Sequence, residues 1–300
     1  MPVSRRPYPA SQRNLEWALG VIYTGGWAAW LWARFPGATR VALIEHTLAI
    51  PGREKGRPPL RIAFASDLHL GPTTPTEVLD AAFAHLRSAR ADVLALGGDY
   101  VFLGATPERV RELQTRVSQV AAPVKLAVLG NHDFWARPER LEDALNEAGV
   151  RVLVNDSVRL PPPHDDVAVI GFDDPLTSRG IVDRIALQES VDAALARVAD
   201  VPIKIALCHS PDGYPEVKGR GVRLLLCGHT HGGQIALPGY RPVWIPGPHG
   251  RLWPYGRHEV DGLTLFVSRG VGGSLVPVRM YAPPDVALFT IEGTSSPPVA

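Results

Sequence analysis

Two cysteines among 300 residues are too few for a disulfide framework. Cys208 and Cys227 each close an apolar run, where a thiol serves as a small buried hydrophobe rather than a redox centre or ligand. An excess of one charge is missing as well: 31 Lys and Arg stand against 30 Asp and Glu, a net charge of +1. No Lys/Arg stripe alternates with aromatics, so a nucleic-acid partner is not expected. Internal repeats and low-complexity tracts are absent. What is present is 45% apolar and 20% charged residues, enough to bury a sizeable core in one large α/β domain.

Charge is also missing from one stretch of the N-terminal region. Trp17 to Ala33 is almost uncharged, is bounded by Glu16 and Arg34, and carries the tryptophan and tyrosine that favour membrane interfaces. Its length is marginal, since a spanning helix takes about 17 to 25 residues. Gly25-Gly26 weakens a soluble helix but is tolerated in a membrane one. An uncleaved membrane anchor is the expectation, because no small-residue cleavage site follows the run. A helix buried on the main domain is the alternative. Arg5, Arg6 and Arg13 before the run and Arg34, Arg40 and Arg53 after it give no asymmetry, so the side of the membrane stays open. Ser4-Arg5-Arg6-Pro7-Tyr8 partly matches a twin-arginine export signal.

After a Gly/Pro/basic linker at 51–59, short apolar runs alternate with amphipathic ones. Strands are expected at 61–65, 92–96 and 124–129, with helices opened by Thr74-Pro75-Thr76-Glu77 and by Thr106-Pro107. That alternation implies a largely parallel sheet. The second half is richer in strands, at 167–170, 203–207, 222–226, 263–267 and 286–291, with one helix at 183–198. A second sheet packed on the first is the expected result. Residues 238–257, heavy in Pro, Gly and Trp, read as a loop that shapes a binding surface.

Asp67-Leu68-His69, Gly97-Gly98-Asp99, Gly130-Asn131-His132-Asp133, Cys208-His209 and Gly228-His229-Thr230-His231 each sit beside an apolar run. One such block alone is as readily a turn or helix cap. Five in series deliver many ligands to one end of a sheet, where α/β proteins place their sites. A donor set that mixes Asp, Asn and His suits manganese, iron or zinc better than calcium.

The order of these blocks resembles the calcineurin-like metallophosphoesterase superfamily over about residues 60 to 235. Gly232-Gly233-Gln234 and Ser268-Arg269-Gly270-Val271-Gly272 resemble a narrower branch of bacterial membrane-associated phosphodiesterases, some of which cut the pyrophosphate of UDP-2,3-diacylglucosamine in lipid A synthesis. The resemblance implies an α/β fold of two packed mixed sheets flanked by helices. It implies an N-terminal segment at 1–40, a catalytic domain at 41–293 and a tail at 294–300.

By the same resemblance Asp67, His69 and His231 would hold one divalent cation, Asn131, His209 and His229 a second, and Asp99 would bridge them. Cations so bridged stand about 3.5 to 4 Å apart and clamp a phosphoryl group. His132 would protonate the leaving oxygen, and Asp133 could orient its imidazole. The expected activity is hydrolysis of a phosphodiester or pyrophosphate at the bacterial inner membrane, with a lipid-linked substrate. A soluble phosphodiester, a phosphoprotein or a non-catalytic scaffold are the alternatives. Asp173 and Asp174 are open between substrate contact and loop order, and Asp212 reads as a turn cap. His46, His85, His164, His249 and His258 read as surface or loop residues. The sequence carries no reading of oligomeric state.

Overall fold

A computed structural model describes residues 10–33, 39–173, 184–275 and 278–294. In chain order the strands are β1 (Ala42–Glu54), β2 (Leu60–Ala65), β3 (Val93–Leu96), β4 (Val124–Ala127), β5 (Arg151–Val152), β6 (Asp156–Arg159) and β7 (Val167–Gly171). They continue as β8 (Ile203–Leu207), β9 (Val222–Cys227), β10 (Ala236–Leu237), β11 (Arg241–Pro242), β12 (Gly256–Val260), β13 (Leu263–Val267) and β14 (Asp285–Thr294). Two six-stranded sheets result, ordered β1-β14-β2-β3-β4-β5 and β12-β13-β9-β8-β7-β6.

The central runs are apolar at nearly every position because both faces of each strand are covered. Side chains alternate across a strand, so Ile62 and Phe64 enter the core between the sheets while Ala63 and Ala65 face the helical layer. That layer is α3 (Thr76–Ser88), α4 (Pro107–Ser118) and α6 (Pro138–Glu147), the last two packed on each other. The other outer face is covered by α7 (Arg184–Ala196) and a 3-10 turn at Pro211–Glu216. Phe64, Phe266 and Phe289 meet edge to face between the sheets, each contributing on the order of 1.5 to 3 kcal/mol by burial. The α/β class with two mixed sheets is as expected.

Several local expectations change. The segment read as a linker extends β1 through Glu54, because Arg53 has a buried partner to reach. β14 does not join the second sheet; it enters the first between β1 and β2, parallel to one and antiparallel to the other. Helix α3 begins one residue late, with Pro75 at its N-cap position, and Thr74 Oγ1 accepts instead from the Gly273 amide. Thr106 caps α4 as expected, accepting from Arg109 N.

Trp17 to Ala33 is not one helix. Gly25 and Gly26 take left-handed φ values of 81° and 69° in a 3-10 turn, Thr24–Gly26, that separates α1 (Ala10–Ile22) from α2 (Trp27–Trp32). Among the described residues no helix is long and apolar enough to cross a membrane. Tyr23, Ala28 and Trp32 turn inward and are buried, while Trp17, Val21, Ile22 and Trp30 stay exposed. The Arg5-Arg6 motif and Arg34 lie outside the described residues.

At the end of the sheets away from the ligand blocks, Arg53 is 1% exposed and donates to both oxygens of Asp166 at 2.9 Å and to Pro58 O at 2.7 Å. The pair ties β1 in one sheet to the start of β7 in the other. Changing Arg53 to Met should leave buried Asp166 with only the longer contact from Arg57, at 3.5 Å, and destabilise the fold by up to about 3 kcal/mol, read as a lowered urea midpoint. The activity of the folded fraction should be unaltered.

Candidate metal centre

The ligand blocks follow β2, β3, β4, β8 and β9, so their side chains converge at the carboxyl ends of parallel strands. The turns are tight. Asp67, His69, Asp99, His229 and His231 all have left-handed φ values between 44° and 69°, each an unfavourable choice for a residue with a Cβ. The backbone bonds that hold them are specific: Asp67 N donates to Gly98 O, His69 N to Asp99 O and Gly272 N to Asp67 O. Glycine is required at two close approaches. A Cβ on Gly130 would collide with the Asp99 carboxylate, and one on Gly228 with Ser66 and the Asp67 carboxylate.

Two groups of donors share one carboxylate. In the first, His69 Nε2 lies 3.2 Å from His231 Nε2, and His231 Nε2 lies 3.4 Å from Asp67 Oδ1. In the second, His209 Nε2 lies 3.2 Å from His229 Nδ1. Asp99 Oδ2 stands between them, 3.6 Å from His69 Nε2 and 3.2 Å from His209 Nε2. Asn131 Oδ1 is buried and has no hydrogen-bond partner, an orphaned acceptor whose natural complement is a cation. Outer contacts aim the donors: Gly97 O meets His209 Nδ1 at 2.8 Å, turning Nε2 into the site.

The electrostatics suit cation binding. Burial, with His132 and Arg279 adding, holds the His69 and His231 imidazoles well below their ordinary range, so both are neutral and available as ligands. Burial acts upward on Asp99, but the imidazoles of His209, His132 and His69 outweigh it and keep that carboxyl well below its ordinary value. Burial pushes Asp67 up to about 6, with Asp99 adding and His209 opposing. A divalent cation between these carboxylates would relieve that repulsion.

Every expected site residue lies in or beside this cluster, but Asp133 has a different task. Its carboxylate accepts from the amides of Asp99, Tyr100 and Gly130 at 2.7 to 2.9 Å. It therefore stitches the Asp99 loop to the short helix α5 (Asn131–Trp135) and does not orient His132. The His132 ring is instead placed by Trp135 at 4.5 Å, Phe102 at 5.6 Å and Ser274 Oγ, 3.4 Å from Nε2. Burial lowers the His132 pKa, opposed by Asp99.

Asp212 does not cap the turn it belongs to, whose cap is Ser210; it accepts instead from the amide of His249 at 2.8 Å, at the start of a short helix α8 (Pro248–Leu252), and from its ring at 2.7 Å. Asp173 orders a loop through Asn155, and Asp174 lies outside the described residues. Among the extra histidines, His46 packs between Phe266 and Phe289, and His164 is buried beside Arg53. His164 is thus buried and His46 half-buried.

Arg279 had no sequence signal. It is buried and donates to the carbonyls of Gly272, His231 and Ala282, with Nη2 2.9 Å from His231 Nδ1. Burial, opposed by Asp285 and Asp67, lowers its pKa to about 10, where it stays charged. Gln234, from the Gly-Gly-Gln stretch, accepts from Ser274 N and so fixes the serine beside His132.

A strand-end cluster of two donor groups around one shared carboxylate is the site of a two-metal phosphoester hydrolase. The chain belongs to the calcineurin-like phosphoesterase family, whose model matches residues 60–233. It is a metallophosphoesterase, of a family whose fold uses two divalent metals. It is 26% identical to the uncharacterized metallophosphoesterase YkuE of Bacillus subtilis, over 93% of this chain and 94% of the relative. Identity to the phosphodiesterase YaeI of Escherichia coli is 27%, over 83% and 87%. The UDP-2,3-diacylglucosamine pyrophosphatase LpxG of Chlamydia trachomatis is 26% identical, over 87% and 92%. Among solved structures, TT1561 of Thermus thermophilus superposes with a TM-score of 0.50 at 15% identity, covering 71% of this chain and 90% of that one.

Because Asp99 faces both groups, Asp99→Asn should lower bound metal at both positions together, measured by elemental analysis of the purified protein. Loss of one metal equivalent with the other fully retained would refute a shared carboxylate.

Proposed function

We propose that this chain is a phosphodiesterase or pyrophosphatase that works at a membrane surface on a lipid-linked phosphate compound. Asp67, His69 and His231 would hold one cation, Asn131, His209 and His229 the second, and Asp99 would serve both. The observation that carries this assignment is Asp99 Oδ2 lying within 3.6 Å of a histidine from each group. When bound, the two cations activate water and neutralise charge on the phosphoryl oxygens. The chain's own residues do the rest: buried walls exclude bulk water, and His132 donates a proton to the departing oxygen.

The membrane part of the reading is supported by exposed apolar side chains on three linked segments. Trp17, Trp27 and Trp30 are on the N-terminal helices, Tyr240, Val243 and Trp244 on the long loop, and Leu275, Met280 and Tyr281 on the segment beyond the Ser-Arg-Gly stretch. Tyr23 OH donates to Leu275 O, and Ala236 N to Met280 O, so the three segments adjoin one another. A rim of tryptophan and tyrosine fits the headgroup region of a bilayer. With no spanning helix among the described residues, in-plane contact is the mode proposed. The name of the chlamydial relative makes UDP-diacylglucosamine a first substrate to assay, beside soluble cyclic nucleotides and phosphopeptides.

Purified, metal-loaded protein should hydrolyse a generic aryl phosphodiester. His132→Ala should keep both metals and lose about 10²- to 10⁴-fold in rate, most on substrates whose leaving group needs a proton. No turnover at full metal loading would refute the enzyme reading. Separately, the full chain should float with phosphatidylcholine vesicles, and Trp17→Ser with Trp30→Ser should reduce the bound fraction without changing turnover of a soluble ester. Equal flotation of the two proteins would refute the contact surface.

A further inference from the structure

The N-terminal helices touch the site from behind. The Tyr23 side chain is buried, its ring centroid 6.3 Å from that of Phe102. Phe102 is fully buried in turn, and its ring stands 5.6 Å from His132 and 5.9 Å, edge on, from His69. Tyr23 is also tied to a second neighbour of the same imidazole. Its hydroxyl donates to Leu275 O at 2.5 Å, and the preceding residue, Ser274, places its Oγ 3.4 Å from His132 Nε2. The helices are pinned near His69 as well, through Ala29 N to Pro72 O at 3.1 Å.

We propose that the N-terminal helical pair is a wall of the active site and not a separable anchor, with Tyr23 a positioning residue that holds Phe102 and Ser274 against His132. The inference rests on the reading of His132 as the proton donor. Its physical basis is that an imidazole donates well only when ring plane and tilt are held, and a misplacement of about 1 Å can cost on the order of 100-fold in rate. Phe102 sets the ring's face and Ser274 meets its outer nitrogen, so one tyrosine braces both contacts. The phenol is buried, and burial raises its pKa, so it stays protonated and remains a donor.

The test uses the full-length, metal-loaded chain and two esters: bis(4-nitrophenyl) phosphate, whose leaving group departs without a proton, and glycerophosphocholine, whose alkoxide needs one. Tyr23→Phe removes one hydrogen bond and keeps the ring. It should lower kcat on the alkyl ester about 3- to 10-fold and change kcat on the nitrophenyl ester less than about twofold, with metal content and Tm unaltered. Tyr23→Ala should enlarge the same selective loss. In a His132→Ala background, Tyr23→Phe should have no further effect on either ester. Multiplicative losses in the double variant, or equal losses on both esters from Tyr23→Phe alone, would overturn the inference. The proton-donor reading is judged separately, by whether His132→Ala alone distinguishes the two esters. Non-additivity decides the role of Tyr23 whichever way that falls.

Discussion

The carboxylate of Asp99 must stand within ligand distance of imidazoles from two different sheets, and most of the architecture serves that requirement. His69 comes from the end of β2 in the first sheet and His209 from the end of β8 in the second, and both reach the same oxygen. This is possible only if the sheets pack face to face with their central parallel strands ending at the same edge. The aromatic and aliphatic core between them sets that geometry. Local cost is concentrated in the turns, where five of the donor residues adopt left-handed backbone, at on the order of 1 kcal/mol or more each. The packed core offsets this, and the glycines at 130 and 228 remove the collisions that would otherwise keep the loops apart.

Around the donors lies a second set of residues that hold backbone in place. Asp133 gathers three amides, Arg279 gathers carbonyls from three residues, and Gly272 closes onto Asp67. Their common effect is preorganisation: the loops that carry the donors are held in place by hydrogen bonds within the protein. A metal site built this way binds without first paying to rearrange its ligands. The same stretch that fixes Asp67 continues to Ser274, whose hydroxyl meets His132, so the donor cluster and the His132 ring are held by one connected loop system.

The N-terminal helices show how one apolar composition can serve two surfaces. Tyr23, Ala28 and Trp32 cover the domain, while Trp17, Val21 and Trp30 remain outside. Hydropathy alone registers the sum and reads a span. The break at Gly25-Gly26 and the split between inner and outer faces depend on what the helices pack against. That partner, Phe102, lies some eighty residues further along the chain.

Metal-donor identity was written into the sequence, because Asp, Asn and His are the side chains that bind such cations and their spacing after apolar runs reflects strand ends. The parallel core strands were legible for a related reason, since burial on both faces demands continuous apolar runs. Asp99 at the junction of the two donor groups was implied by resemblance and became a measurable geometry only in the fold. The placement of β14 in the first sheet was hidden, because a buried strand looks the same in either sheet. So were the backbone duty of Asp133, the role of Arg279 and the inward face of the N-terminal helices. Each depends on contacts between segments distant in sequence, and long-range pairing leaves no local periodicity to read. The amino acids therefore determined which chemistry this protein can carry, and only tertiary packing decided which groups meet.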